Sequence, residues 1–222
     1  FLGCSGSEAV DTALKLSRLY QQLRGENEKQ IIVRRTNGYH GTNFGGTSAQ
    51  GIAPNREGWG DLVPHFIEVP NNDLEATATI FANHGNQIAA MIVEPIQGEG
   101  GVNIPSHSYL KDLKSLCQEH DLLLIFDEVQ TGLGRLGTLF GYQNSGVEPD
   151  IMTLAKGLGG GVPIGAFLAK DSACAFDPGD HGSTFGGNPL TCAAAHASTQ
   201  YIIDHNLSGN AAKLGEYLGE GL

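Results

Sequence analysis

Three apolar segments of the sequence each end in a side chain that can do acid–base or nucleophilic chemistry. The segments I-A-A-M-I-V, L-L-L-I-F and I-M-T-L-A are followed by Glu94, Asp127 and Lys156. The spacings between these three residues, 33 and 29 positions, are close to the roughly 30 residues of a β-α-β unit. Ligands of open α/β sheets bind at the carboxyl ends of the strands. We therefore expect two acids and a lysine to share one crevice.

A lysine amine and a carboxylate at such a position suit pyridoxal 5'-phosphate (PLP). This cofactor forms a Schiff base with a lysine, and an acidic partner keeps its pyridine nitrogen protonated. Lys156 suits the first role and Asp127 the second. The S-G-S tripeptide at 5–7 begins a predicted helix and offers N–H groups, hydroxyls and the helix dipole to a phosphate. Tyr39, in a glycine-rich segment, is the candidate for stacking on the ring.

Each of these residues also has an ordinary structural explanation. A carboxylate after a strand is often a helix cap or an ion-pair partner, and most lysines are solvated surface charges. Ser5 followed three residues later by Glu8 is a capping box that needs no phosphate. The functional interpretation depends on their joint occurrence in the order that a PLP site requires.

The elements that must position these residues alternate along the chain. Helices are predicted at 5–24, 73–83, 106–120 and 193–204, and strands at 30–34, 88–93, 122–126, 151–154 and 164–169. Alternating strands and helices predict an α/β fold, with a mostly parallel sheet and helices on both faces. The segment 36–60 holds seven glycines, which predicts a long functional loop without a regular element.

Composition excludes several classes of protein. Thirteen Lys and Arg against 24 Asp and Glu give a net charge of −11, which disfavours binding of nucleic acid or of an anionic membrane surface. The four cysteines contain no C-x-x-C pair, so a reducing, cytoplasmic location is expected. No apolar run reaches the roughly 18 residues that cross a bilayer. The eight histidines show no metal-ligand spacing, so no metal is predicted.

Six motifs, in one order along the chain, resemble those of the class III (ω-amino acid type) PLP-dependent aminotransferases of fold type I. They are S-G-S-E-A (5–9), Y-H-G (39–41), V-E-P-I-Q-G-E-G-G (93–101), L-L-I-F-D-E-V-Q-T-G-L-G-R (123–135), A-K-G-L-G-G-G-V-P-I-G-A (155–166) and H-G-S-T-F-G-G-N-P-L (181–190). D-E-V-Q-T-G followed by A-K-G-L-G-G-G is highly specific. The resemblance covers the chain nearly end to end.

This resemblance implies a set of cofactor contacts. It places Ser5, Gly6 and Ser7 at the phosphate, Tyr39, Val129 and Gln130 around the ring with His40 and Glu94 nearby, Asp127 on the pyridine nitrogen, and Lys156 as the Schiff-base lysine and proton shuttle. Thr184 would reach the phosphate of the neighbouring subunit, which implies a homodimer. Residues 1–222 would be the PLP-binding large domain, without the N-terminal segment and the C-terminal small domain of longer relatives.

The motifs are most similar to those of the acetylornithine and ornithine aminotransferase branch. In that branch Glu99 would guard the substrate site. Thr42 departs from the pattern, because the branch usually has an arginine there that binds the substrate carboxylate, and a threonine cannot supply bidentate recognition. Arg34, Arg35 and Arg56 are the arginines near enough in sequence to replace it. The Y-H-G-T form is closer to enzymes that use ω-amino acids or amines.

The predicted function is PLP-dependent transamination between an amino donor and a 2-oxo acid. The donor would be an ω-amino acid, an acetylornithine-like or ornithine-like compound, or an amine. Two alternatives remain open from the residues. A PLP-dependent aminomutase would use the same cofactor site, and a non-catalytic α/β domain would bind a phosphate or nucleotide through its glycine loops. The second alternative lacks a G-x-G-x-x-G between strand and helix and leaves Lys156 without a role.

Overall fold

Seven strands form one sheet in a computed structural model that describes residues 1–222. The strands are β1 (Leu2–Gly3), β2 (Ile31–Arg35), β3 (Phe66–Val69), β4 (Ile88–Val93), β5 (Leu123–Asp127), β6 (Ile151–Leu154) and β7 (Gly165–Ala169). Their order is β1-β7-β6-β5-β4-β2-β3. The five strands β6, β5, β4, β2 and β3 run parallel to one another. At the other edge of the sheet β7 runs antiparallel to β6, and β1 runs antiparallel to β7. The predicted mostly parallel α/β fold is confirmed.

Helices cover both faces of this sheet. They are α1 (Gly6–Leu23), α2 (Phe44–Ala49), α3 (Leu74–His84), α4 (Tyr109–Glu119), α5 (Tyr142–Ser145), α6 (Pro189–Asp204) and α7 (Leu207–Gly221). One buried cluster joins α1 to Ala90 and Ile92 of β4. The opposite cluster joins α3 and α4 to Met91 and Val93 of the same strand. Because successive side chains of a strand point to opposite faces, a strand with a core on both sides is apolar throughout.

The structure corrects the prediction for 36–60. This segment is not one irregular loop, since it contains α2 and a 3₁₀ turn at Ala53–Arg56. Helix α2 forms despite two glycines because the Gly46 N–H donates to Oδ1 of Asp11 at 2.9 Å. A side chain on residue 46 would also collide with the carbonyl of His40. Tertiary contacts here outweigh the low helix propensity of glycine.

Helix α7 is a second element that the pattern did not predict. Four glycines lie within it, at 209, 215, 219 and 221, and a glycine in the interior of a helix lowers intrinsic helix propensity by about 1 kcal/mol. The helix starts at a defined cap, where the Asn206 side chain accepts a hydrogen bond from the Gly209 N–H. No helix of the chain is both long enough and apolar enough to cross a membrane.

Candidate functional site

Strand register brings the polar strand ends to one face of the sheet. Val93 of β4 is level with Phe126 of β5, so the next residues, Glu94 and Asp127, are neighbours. Asp127 is in turn level with Thr153 of β6. Glu94 and Asp127 continue the alternation of Ala90, Ile92 and Ile125, which face α1. The three polar side chains therefore lie side by side under the first turn of α1.

The Asp127 carboxylate is buried and accepts three hydrogen bonds. Its Oδ1 accepts from Thr153 Oγ1 at 3.0 Å and from the Val129 N–H at 3.2 Å. Its Oδ2 lies 2.8 Å from Nδ1 of His40, which is 1% exposed. A carboxylate only accepts, so Nδ1 is the protonated nitrogen of that ring. Asp127 is thereby held in one orientation at the floor of the site.

The Glu94 carboxylate joins two loops of the site. Oε1 accepts the Tyr39 N–H and Oε2 accepts the Gly98 N–H, each at 3.0 Å. Burial raises the pKa of Glu94, and the two N–H groups and His40 oppose that rise. Through these bonds one side chain sets the positions of the Tyr39 loop and of the loop that carries Glu99.

Glu128, which the sequence reasoning did not assign, anchors the segment after β5. Its fully buried carboxylate accepts from Thr131 Oγ1 at 3.0 Å and from the N–H groups of Gly141 and Tyr142 at 2.6 and 2.7 Å. Burial raises the pKa of Glu128, and these donors oppose the rise. Of these two adjacent acids, Asp127 therefore faces the site, whereas Glu128 supports residues 129–142.

Lys156 contacts the segment that follows β5, through the side chain of Gln130. It is exposed, begins the 3₁₀ turn Lys156–Gly159 and has a φ of 44°. Positive φ is uncommon for a residue with a Cβ. The Nζ donates to Oε1 of Gln130 at 2.7 Å. Arg135 Nε in turn donates to the Gln130 carbonyl at 2.8 Å, so the residue that contacts the lysine is held from its backbone side.

The N-terminus of α1 closes the other end of the site. Ser5 caps the helix by accepting the Glu8 N–H at 3.2 Å. Ser7 Oγ accepts the Thr42 N–H at 3.0 Å, which ties the glycine-rich segment to the first turn. Gly6 packs tightly, because an added Cβ would lie 3.1 Å from both methyl groups of Val129. Unpaired first-turn N–H groups and the positive end of the helix dipole favour an anion at this position.

These residues surround one cavity of about 400 Å³. All the residues predicted for the site line it except Thr184; the cavity is lined by Ser5, Gly6, Ser7, Tyr39, His40, Glu94, Glu99, Asp127, Val129, Gln130 and Lys156. Sequence reasoning missed Cys4, Val10, Gly41, Ala155 and the segment 161–164, which also line it. All of them lie within or directly beside the motifs at 5–9, 39–41 and 155–166, which was the available signal.

The comparison with known proteins decides the family. The family model for class III aminotransferases matches residues 1–222. The chain belongs to the class III aminotransferases. The resemblance inferred from the six motifs is confirmed.

Two kinds of relative are similar to this class III aminotransferase chain. The acetylornithine aminotransferase of Caldanaerobacter subterraneus subsp. tengcongensis is 46% identical over 222 residues, which are 100% of this chain and 56% of that protein. The (S)-enantioselective omega-transaminase of Thermomicrobium roseum has a TM-score of 0.93 at 36% identity, over 98% of this chain and 54% of the other. The chain therefore spans about half the length of the curated relatives it matches.

A third relative was solved with a cofactor. It is an amine transaminase from an uncultivated Pseudomonas species in its PLP-bound form, with a TM-score of 0.90 at 36% identity. The match covers 98% of this chain and 55% of that one.

The structure separates Thr184 from the other predicted residues of this class III aminotransferase chain. Thr184 is exposed and lies outside the cavity. Glu99 is exposed at its edge. No group of three or more His, Cys, Asp or Glu side chains is arranged to hold a metal ion.

The arginines considered as replacements at Thr42 do not line the cavity. Arg34 pairs with Glu68 at 2.8 Å. Arg35 is buried, and its guanidinium donates to the Glu94 carbonyl and to Asn72 Oδ1. A second cavity of about 610 Å³ shares Tyr39 with the first and includes Thr42, and no charged side chain lines it.

Proposed function

We propose that the protein carrying this chain is a transaminase that uses PLP to move an amino group from a donor to a 2-oxo acid. The proposal rests on the presence of both Lys156 and Asp127 in one cavity. The N-terminus of α1 lies at the opposite end of that cavity. Class III membership and the PLP-bound relative support the choice of cofactor. Residues 1–222 would form the cofactor-binding large domain of a longer enzyme in the cytoplasm.

The residues of the cavity fit PLP in their chemistry. Ser5, Gly6 and Ser7 would hold the phosphate through first-turn N–H groups and hydroxyls. Tyr39 and Val129 offer an aromatic and an apolar surface to a flat ring. Asp127, held by His40, Thr153 and the Val129 N–H, would face the pyridine nitrogen as an oriented anion. The cavity volume of about 400 Å³ lies within the range of about 300–1,000 Å³ that is typical of ligand pockets.

The proton transfer and the orientation of the reacting groups are assigned to side chains of this chain. When bound, PLP supplies the electron sink that makes a C–H bond of the amine acidic. Lys156 Nζ would remove that proton and return it to a neighbouring atom, which requires a mobile, exposed amine. Gln130 would orient the amine through its Oε1, as it does at 2.7 Å. Asp127, His40 and Glu94 remain in place as a buried layer beneath the reacting atoms.

The partners of the enzyme follow from the same reasoning. Its substrates would be a small amino donor and a 2-oxo acid. Thr184 is exposed and outside its own cavity, which supports a contact with the phosphate site of a neighbouring subunit in a homodimer. Glu99 would act at the substrate entrance. The absence of a charged side chain near Thr42 in the second cavity supports donors without a carboxylate at that end.

The test of this function uses the full-length protein and a panel of donors with pyruvate or 2-oxoglutarate as acceptor. We expect a visible absorbance band on addition of PLP that borohydride bleaches, and amino transfer with at least one donor. Lys156→Ala should abolish turnover, and Lys156→Arg, which keeps the charge, should abolish it as well. Retained turnover in either variant would overturn the proposal.

The preferred donor class can be tested at Thr42. Thr42→Arg restores a guanidinium for bidentate recognition of a carboxylate. We expect it to lower KM for acetylornithine or ornithine relative to simple amines. Thr42→Lys is the matched control, because it adds the charge without the planar fork.

A further inference from the structure

The segment that carries Thr184 is held on both sides of that residue, by α1 before it and by β1 after it. Before it, Ser183 Oγ donates to Glu8 Oε2 at 3.2 Å, and His181 contacts two side chains of α1. After it, Gly186 lies so close to the Leu2 carbonyl that no side chain would fit. Thr184 itself remains exposed between these attachments. The segment 181–186 therefore has a defined position although it lacks regular structure.

The α1 side chains that hold His181 belong to one face of the helix. Glu8, Thr12 and Lys15 are spaced by four and three residues, which places them in one row. His181 Nε2 lies 2.8 Å from Thr12 Oγ1, and His181 Nδ1 lies 3.0 Å from Lys15 Nζ. The same helix presents its first turn to the cavity. One rigid element thus supports both the phosphate end of its own site and the segment that bears Thr184.

These contacts determine the protonation state of the His181 ring. A lysine ammonium can only donate, so Nδ1 must be the unprotonated nitrogen that accepts from Lys15. Nε2 therefore carries the proton and donates to Thr12 Oγ1, and the Thr12 hydroxyl donates onward to the Glu8 carbonyl at 2.7 Å. The chain of donors is complete only with a neutral imidazole. A second proton on Nδ1 would point at the Lys15 ammonium.

Aromatic packing fixes the same ring from its face. Phe176 stacks on His181 with ring centroids 5.4 Å apart and an interplanar angle of 8°, and Phe1 meets it edge-on at 4.7 Å. The ring is thus held by two hydrogen bonds and two aromatic contacts.

We propose that His181, as the neutral Nε2–H form, is a positioning residue that holds Thr184 in place for the phosphate site of the neighbouring subunit. This inference rests on the proposed function, since the contact of Thr184 belongs to it. His181 touches neither substrate nor cofactor and acts only through the segment that it fastens to α1.

The charges around His181 make this attachment dependent on pH. Burial and Lys15 lower the pKa of His181, whereas Glu8 raises it. The pKa in the folded protein lies below the ordinary value near 6.5. The folded protein therefore binds a second proton on His181 only at a lower pH than the unfolded chain does. The stabilisation is complete above about pH 6.5 and is lost as the pH falls through the lowered pKa. Acid therefore detaches the segment.

The experiment measures the PLP dissociation constant of the full-length dimer. His181→Phe keeps the aromatic stack and removes both hydrogen bonds. We expect it to raise the dissociation constant about fivefold at pH 7.5, less than the loss of the Thr184 contact itself, because the Thr184 side chain remains and only its position is less well defined. Thr184→Ala should raise the constant about tenfold or more, because it removes a bond to a charged group. In the Thr184→Ala background His181→Phe should add nothing.

A pH series separates positioning from general loss of structure. PLP binding itself changes with pH, so the informative quantity is the ratio of the dissociation constants of His181→Phe and the unsubstituted protein. We expect this ratio to fall toward one as the pH falls through the lowered pKa of His181, because the ring of the unsubstituted protein then takes up a second proton. Lys15→Met should mimic His181→Phe in the ratio near neutral pH, and Lys111→Met, on the exposed face of α4, should have no effect.

Hydrogen exchange of the cofactor-free protein gives a second readout. His181→Phe should lower the protection of residues 181–187 and leave the strands of the sheet unchanged. An effect of His181→Phe that persists in the Thr184→Ala background, or a ratio that is constant with pH, would overturn the inference. If Thr184→Ala leaves PLP binding unchanged, the contact of Thr184 is absent and the inference fails with it, whereas the Lys156 test of transamination is unaffected.

Discussion

His40 Nδ1 donates to Asp127 Oδ2 at 2.8 Å, and both side chains are buried. The two residues are 87 positions apart and come from the glycine-rich segment and the end of β5. Their bond places the segment that carries Tyr39 directly against the acid of the sheet. Tyr39, His40 and Asp127 therefore form one structural unit.

Removal of His40 should destabilise the protein through Asp127. In His40→Leu the buried Oδ2 loses its donor, which costs about 1–3 kcal/mol. Thr153→Val removes a donor from Oδ1, where the Val129 N–H still donates, so its cost should be smaller. Urea unfolding of the cofactor-free, full-length protein measures both. A larger loss for Thr153→Val would contradict the ranking.

Glu128→Gln should destabilise the segment after β5. The amide has only one oxygen for the three donors that the carboxylate accepts, and its NH₂ would face a backbone N–H. We expect a loss of about 1–3 kcal/mol in the free energy of unfolding. Glu119→Gln, at an exposed position of α4, is the matched control and should stay within about 0.5 kcal/mol. Equal effects of the two would show that the buried bonds contribute little.

The pH dependence of Glu94→Gln follows from the raised pKa of Glu94. The folded protein keeps this proton to a higher pH than the unfolded chain, so the contribution of Glu94 to stability falls as the pH rises above its ordinary value of about 4.3. The destabilisation caused by Glu94→Gln should therefore be larger near pH 4.5 than at pH 7. Denaturant unfolding at the two pH values measures the difference. The opposite order would show that the two N–H bonds outweigh burial.

Gly41→Ala should be far more disruptive than an alanine at an exposed helical glycine. Gly41 has a φ of 97°, and an added Cβ would lie 2.6 Å from Ser7 Oγ. Left-handed backbone alone costs an L-residue roughly 1–2 kcal/mol, and the collision would disturb the Ser7–Thr42 contact. Gly219→Ala in α7 meets no atom within 4 Å and should be neutral or slightly stabilising. Thermal unfolding and PLP binding of the two variants make the comparison.

The cysteines should differ sharply in reactivity. Burial raises the pKa of Cys117 to about 12, so almost no thiolate is present at neutral pH. Cys174 is exposed. Brief treatment with iodoacetamide at pH 7.5, followed by mass spectrometry, should label Cys174 and spare Cys117 until the protein is unfolded. Rapid labelling of Cys117 in the folded protein would contradict its burial.

Much of the fold could be predicted because its signals are local. The apolar runs that became β4 and β6 were predicted with their observed ends, and Ser5 was identified as the cap of α1. Helices α2 and α7 were missed for one reason, since both are rich in glycine. Their stability comes from contacts such as that of Gly46 with Asp11, which no local pattern contains.

The sequence by itself determined which residues stand at the ends of the strands, and with them the family and the candidate site. It could not determine that Glu94 joins two loops, that Glu128 turns away from the cavity, or that His181 bonds to Thr12 and Lys15. Apart from the short-range bond between Glu94 and Gly98, those contacts join residues 13 to 169 positions apart. Local patterns specify which way a strand or helix faces, whereas distances between elements are set only when register and packing bring them together.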